Sequence, residues 1–246
     1  LPGIEIADLA LYLKEENIAV IGDVHLGYED SMRRQGVFMP RFQFRDTIER
    51  LGKIFAFLQQ RNKGSSGQSE AKLEAIVING DLKHDFGLIS EQEWRDILKL
   101  LDFLLQHSQK VILVKGNHDI KLVPIARKRN IVVVENIAIN DKFVCHGHQV
   151  PGSDEFRKSK IVIVGNEHPA ISLREGARSE LYKCFLLGKW GRKKLIVMPS
   201  FNQVTIGTDI LKEKFISPFM RQNLGSFEVF AVSDEAYHLG KVMDLS

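Results

Sequence analysis

Short apolar runs rich in β-branched residues recur along the chain, and each closes on a polar cluster. Residues 18–21 lead into Gly22-Asp23-Val24-His25, 75–78 into Gly80-Asp81, and 111–114 into Gly116-Asn117-His118-Asp119. Residues 143–145 lead into His146-Gly147-His148, and 161–164 into Gly165-Asn166-Glu167-His168. Runs of this kind, with no polar alternation, read as strands buried on both faces. The Asp, Asn and His side chains are therefore expected where strands end and loops begin, the edge at which helix-covered sheets bind ligands.

Between the runs the period changes to 3.6. Residues 45–60 carry Ile48, Leu51, Ile54, Phe55 and Leu58 on one face, which predicts a helix. The Gly/Ser/Gln stretch 62–69 that follows reads as a surface loop. Ser90 and Glu93 form a capping box for a helix over 91–107, with Trp94, Ile97, Leu98, Leu101, Leu104 and Leu105 on its buried side. A shorter helix is expected over 122–128, with Pro124 in its first turn. From residue 131 the pattern turns to strands, at 131–134, 142–145, 161–164, 183–187, 195–198 and 227–232. With no repeat and no long Pro/Gly linker, the simplest architecture is one domain over 1–246, two packed sheets flanked by helices. Residues 213–220 read as a loop or lid, and 227–232 as a closing strand.

Composition narrows the field only a little. The 246 residues are 44% hydrophobic and 26% charged, ordinary globular usage. No apolar run is long enough to span a membrane, and the first ten residues include Glu5 and Asp8 and no basic leader, so neither an anchor nor a signal peptide is expected. The two cysteines, Cys145 and Cys184, lie far apart without ligand spacing and read as buried thiols of a cytoplasmic protein. Net charge is only +3, but residues 121–129 and 189–194 each hold four basic side chains. Such clusters suit phosphate backbones and equally suit an ordinary solvated face. No Gly-Lys-Ser/Thr phosphate loop is present, so ATP hydrolysis is not expected.

The clusters themselves carry chemistry. Asp23 and His25, two apart on an extended segment, can reach one ion. The carboxylate of Asp81 can bridge two ions about 3.5–4 Å apart. Asn117 adds an amide oxygen, and His146 and His168 add imidazoles. A set with oxygen and imidazole donors but no thiolate suits Mn²⁺, Fe²⁺, Zn²⁺ or Ni²⁺ better than Ca²⁺. His84, His107 and His238 stand outside the pattern and read as ordinary hydrogen-bonded histidines. Arg33, Arg34, Arg41 and Arg45 follow the first cluster and read either as phosphate clamps or as surface residues.

Taken in order, Asp-x-His, Gly-Asp, Gly-Asn-His-Asp, His-Gly-His and Gly-x-x-His resemble the calcineurin-like metallophosphoesterase superfamily over residues 18–169. The stretch from Gly27-Tyr28-Glu29-Asp30 through Arg33-Arg34-Gln35-Gly36-Val37-Phe38 and Pro40 resembles the archaeal SbcD-related (Icc-like) phosphoesterases, as do His168-Pro169-Ala170-Ile171 and Pro199-Ser200-Phe201-Asn202. The resemblance implies a four-layer α/β/β/α sandwich of two mixed sheets and a pair of divalent ions, manganese foremost. It implies that Asp23, His25, Asp81 and His168 hold the first ion, and that Asp81, Asn117, His146 and residue 166 hold the second. His118 would be the catalytic histidine, Asp85 and Asp119 outer carboxylates that orient histidines, and His148 a neighbour either of the substrate or of the metal ligands.

The activity so implied is metal-dependent phosphoester hydrolysis by a metal-bound hydroxide, with His118 assisting the leaving oxygen. A nucleic-acid or nucleotide diester (DNA or RNA) is the leading substrate class. A small-molecule phosphomonoester, or a metal-bound nucleic-acid-binding protein with impaired catalysis, is the alternative. A homodimer, and an ATPase or repair partner in a separate chain, also follow from the resemblance. The pattern is broken at Asn166, where the family has histidine. Asn166 could bind through its carbonyl oxygen, could leave a weak second site, or could be an engineered substitution that traps an inactive state.

Overall fold

The structure is a computed structural model that describes residues 2–63, 72–84, 90–119, 129, 131–176 and 178–245. Two mixed sheets form it. The first has six strands in the order β1 (Ile4–Ala7), β2 (Ala10–Leu13), β3 (Ile18–Ile21), β4 (Ala75–Asn79), β5 (Val111–Val114) and β6 (Val132–Val134). Strands β3 to β6 run parallel, and an antiparallel hairpin of β1 and β2 is added at β3. That hairpin lies ahead of the first strand the pattern predicts.

The second sheet has nine strands. Its parallel centre is β8 (Lys142–Cys145), β9 (Ile161–Val164) and β12 (Lys193–Val197), flanked by β7 (Asn136–Ile139). The long β11 (Arg178–Trp190) pairs with β12 and with β10 (Pro169–Glu175), which in turn meets β13 (Thr208–Asp209). Strand β14 (Glu228–Val232) does close onto β11, and β15 (Ala236–Lys241) extends beyond it.

Among the described residues three helices precede the second sheet: α1 (Tyr28–Arg34), α2 (Gln43–Lys63) and α3 (Glu91–His107). The capping box at Ser90 and Glu93 forms as read, with Glu93 N–H donating to Ser90 Oγ at 3.1 Å and Ser90 N–H to Glu93 Oε2 at 3.2 Å. Leu51, Ile54, Phe55 and Leu58 of α2 and Ile97, Leu101 and Leu104 of α3 are buried in the same core as β3, β4 and β5. The helix expected over 122–128, the loop expected over 62–69 beyond residue 63, and Asp85 lie outside the described residues.

Alternation along β9 shows how the sheets are layered. Ile161 and Ile163 join the core shared with the first sheet, while Val162 and Val164 face a second cluster with Phe156, Phe219 and Leu224. Among the described residues that outer layer is thin: the five-residue α4 (Asp154–Lys158) and an irregular strap over 210–227. The strap includes 213–220, which has no regular secondary structure. It is tied down by Glu167, whose carboxylate accepts N–H from Ile216 at 2.8 Å and from Ser217 at 2.6 Å. Cys145 and Cys184 are both buried and unpaired, and burial pushes the Cys145 thiol up to about 12.

Candidate metal centre

Because β3, β4 and β5 are parallel, as are β8 and β9, the loops that follow all five leave at one edge. Asp23 is the meeting point of the two sheets. Its Oδ1 accepts the Asp81 N–H at 2.6 Å, and its Oδ2 accepts the Asn166 N–H at 3.0 Å. His168 Nε2 lies 3.0 Å from Oδ2, and His146 Nδ1 lies 3.2 Å from Oδ1. Asp23 is completely buried. Burial opposes its ionisation, but His146, His168 and His25 outweigh that and hold the carboxyl well below the usual range.

Asp81 has the opposite balance. Burial and the neighbouring Asp23 charge push its carboxyl up to about 8. Its Oδ1 accepts the His118 N–H at 2.8 Å, and its Oδ2 stands 3.6 Å from both His118 Nε2 and His146 Nε2. His146 Nε2 is 3.0 Å from Asn117 Oδ1. Nδ1 of His118 donates to the His84 carbonyl, which leaves Nε2 facing Asp81. Two of these loops have no room for a side chain at glycine. A Cβ at Gly116 would fall 1.9 Å from Asp81 Oδ1, and one at Gly80 (φ 112°) would fall 2.2 Å from both Asp23 Oδ1 and His146 Nδ1.

The donor set fits a divalent cation. Asp23, His25 and His168 offer ligand atoms within 4.8 Å of one another, and so do Asp23, Asp81 and His146. His25, Asp81 and His118 make a third such group. His25 Nδ1 is buried without a hydrogen-bond partner among the described residues. Burial pushes the His25 imidazole down to about 3, and His168, His84 and His118 reinforce the shift against Asp23. A neutral imidazole beside crowded buried carboxylates is the protonation state that a cation selects.

In the metal-free protein Asp81 holds a proton at pH 7, and the cation requires it gone. Mn²⁺ binding should therefore release close to one proton at pH 7 and fewer above pH 8. Apparent affinity should climb by up to about tenfold per pH unit below that point. Titration calorimetry in two buffers of different ionisation heat counts the protons; none released at pH 7 would mean Asp81 is already ionised.

The remaining expected residues are placed unevenly. Asn166 enters through its backbone, in a left-handed conformation (φ 57°) that asparagine tolerates better than most residues. Its side-chain amide makes no hydrogen bond among the described residues. Asp119 is buried but orients loops rather than a histidine, accepting N–H from Leu82, Gly116 and Lys83 at 3.1, 3.2 and 3.4 Å. Burial pushes its carboxyl up to about 7. His148 is exposed on the rim, its ring 5.3 Å from that of His146.

Arg33 is exposed and makes no ion pair among the described residues, whereas Arg41 pairs with Asp30 and Arg45 with Asp46. The basic cluster at 189–194 sits at the far end of the second sheet. Lys194 is in register with Ile161, where β9 begins, while the site lies beyond Val164, where it ends. Lys193 there is occupied in holding the carbonyls of Arg157 and Ser159. Of the cluster at 121–129, only Arg129 is described, and it pairs with Asp102.

One residue was read as ordinary and is not. His84 stands at the site, its ring 5.4 Å from His25, 5.8 Å from His118 and 4.5 Å from Tyr28. The signal was its place three residues after Asp81. His238 is hydrogen-bonded as expected, to Glu228 at 2.6 Å, while the His107 ring packs on Phe55 and Phe103.

Buried carboxylates and imidazoles converging at the strand ends of two stacked mixed sheets define a metal-dependent hydrolase of phosphate esters. The chain belongs to the calcineurin-like phosphoesterase family, whose profile matches residues 16–201. Its fold is similar to that of the nuclease MPE of Pseudomonas putida, at 21% identity, with 95% of this chain and 93% of that one covered and a TM-score of 0.64. Weaker likenesses are to zinc-complexed Vps29 of Entamoeba histolytica and a predicted phosphoesterase of Streptococcus pneumoniae. The first is 18% identical (90% and 92% covered, TM-score 0.34), the second 14% (91% and 97% covered, TM-score 0.33). No curated protein matches the chain in sequence. No helix among the described residues is long and apolar enough to cross a membrane.

Proposed function

We propose that this phosphoesterase is a phosphodiesterase acting on nucleic acid or nucleotides through a two-ion site. The observation that carries the reading is the pair of buried carboxylates, Asp23 and Asp81, ringed by His25, His146 and His168. In this reading Asp23, His25, Asp81 and His168 hold the first ion, and Asp81, Asn117, His146 and Asn166 hold the second. The ions, when bound, would polarise the phosphate and activate water. His118, half-buried at the rim, acts as the imidazolium: Nε2 takes up a proton from solvent, against burial that lowers its pKa, and gives it to the leaving oxygen while its Nδ1–H stays on the His84 carbonyl. Arg33, exposed on α1, meets a phosphate.

The diester preference draws on Arg33 and Arg34, and the name of the structurally similar nuclease points the same way. Manganese is our choice of metal. Kinship with the archaeal SbcD-related phosphoesterases, a single domain over 1–246, a homodimer and a separate ATPase or repair partner complete the reading. Two unpaired buried thiols suit the reducing cytoplasm.

The test is hydrolysis of bis(p-nitrophenyl) phosphate against p-nitrophenyl phosphate with added Mn²⁺. Turnover that needs Mn²⁺ and favours the diester supports the reading; monoester preference replaces it with a small-molecule phosphatase. Asn166 separates an active enzyme from a binding protein. An amide is a poorer ligand than imidazole for the later transition metals, so Asn166→His should tighten Co²⁺ or Ni²⁺ in the second site by about tenfold, and more than it tightens Mn²⁺. Activity at limiting Co²⁺ should rise with it. If Asn166→His leaves the second affinity unchanged, residue 166 does not face that ion.

A further inference from the structure

Three segments far apart in sequence meet behind the first cluster, and none of them supplies a ligand. His25 sits in the left-handed region (φ 49°), a conformation histidine seldom adopts without support. The support is nearly complete along the main chain. Phe201 N–H and Asn202 N–H donate to the Asp23 carbonyl at 2.7 and 3.1 Å, and Val24 N–H and His25 N–H donate to the Asp81 carbonyl at 2.9 and 3.0 Å.

The two carbonyls that remain, of Val24 and His25, meet one side chain, and the His25 carbonyl also accepts the Tyr28 N–H at 3.3 Å. Gln43 Nε2 donates to His25 O at 2.8 Å and to Val24 O at 3.3 Å, and also faces Asn202 Oδ1 at 3.2 Å. All three partners are acceptors, so only the nitrogen of the carboxamide fits there. Asn202 Oδ1 is held in turn by Val204 N–H at 2.8 Å. Gln43 opens α2, and Glu29 seats that helix end by accepting the N–H groups of Phe42 and Gln43 at 2.9 and 2.8 Å. Gln43, Asn202 and Glu29 are all buried, and Asn202 lies one residue beyond the stretch that matches the family.

We propose that Gln43 is a positioning residue for the first metal ion. Braced by Asn202 and seated by Glu29, its carboxamide locks the turn that points His25 toward Asp23 and His168. This rests on the two-ion reading of the site, and the test therefore reads metal binding before turnover.

Gln43→Met keeps the length of the side chain and removes its donors. In metal-stripped protein, titration calorimetry should show first-site Mn²⁺ affinity lower by about ten- to a hundredfold. The visible absorption of Co²⁺ in that site should change shape, which a loss of stability alone would not produce. Asn202→Ser, which removes only the brace, should weaken Mn²⁺ in the same direction and by less. It serves where Gln43→Met fails to fold.

Unchanged Mn²⁺ affinity and an unchanged Co²⁺ spectrum in folded Gln43→Met overturn the inference, as does unchanged affinity in Asn202→Ser. Wild-type protein that binds Mn²⁺ without hydrolysing a diester overturns the proposed function and leaves this test intact. Wild-type protein that binds no Mn²⁺ overturns both.

Discussion

Asp81→Asn should cut Mn²⁺-dependent diester hydrolysis by at least about a thousandfold, with the chain still folded. Asparagine matches the volume of aspartate, and its carbonyl can still accept the His118 N–H that now reaches Asp81 Oδ1 at 2.8 Å. What is lost is the charge placed between the two halves of the site. Without metal that charge is a burden, since burial and Asp23 raise the Asp81 carboxyl to about 8. A carboxyl whose folded pKa is raised keeps its proton in the folded chain while the unfolded chain has lost it. Stability therefore falls as pH rises from the unfolded value, about 4, towards 8. The metal-free Asn variant should be spared that fall and melt no lower than wild type at pH 7. Added Mn²⁺ should reverse the order, because a ligand that binds only the folded state stabilises it and the variant binds Mn²⁺ weakly. Scanning calorimetry with and without MnCl₂ reads both signs. Wild-type turnover in Asp81→Asn would remove Asp81 from the ion pair.

His118→Ala should lower kcat by about 10²- to 10⁴-fold while Mn²⁺ affinity stays within about threefold. The side chain is half-buried at the rim, with its backbone N–H on Asp81 and its Nδ1–H on the His84 carbonyl. Those bonds fix the ring with Nε2 turned into the site, 3.6 Å from Asp81 Oδ2, where a leaving group would arrive. The competing role is that of a ligand, since His118 shares one of the close donor groups with His25 and Asp81. A metal-bound histidine also commonly gives its other N–H to a carbonyl. Kinetics and calorimetry on the same variant decide between them. If Mn²⁺ affinity collapses together with kcat, His118 is a ligand.

Some elements were legible because their causes are local. The runs at 18–21, 111–114 and 161–164 become β3, β5 and β9 with the same bounds, since a strand buried on both faces leaves an uninterrupted apolar signal. Helix α3 was readable at its start, because Ser90 and Glu93 act within four residues of each other. Elements whose stability comes from distant partners were harder. The hairpin β1–β2 escaped notice, and β11 runs 13 residues where only five were expected. Its outer halves are only partly buried and carry Lys, Arg and Glu among the apolar positions.

The sequence by itself determined the chemistry: which residue types follow which strands, and so the order Asp23, His25, Asp81, Asn117, His118, His146 and His168. Strand ends are set by local pattern, and a ligand motif is a few consecutive residues, so both can be read from one dimension. The tertiary structure alone decided what faces that edge. It brought His84 and Gln43 in, gave Asp119 to backbone N–H groups, and sent the 189–194 basic cluster to the opposite end of the sheet. Those outcomes depend on strand direction and on register between segments far apart in the chain, such as Asp23 and Asn202, 179 residues apart. No local pattern encodes that pairing; it is fixed when two sheets bury their facing sides against each other.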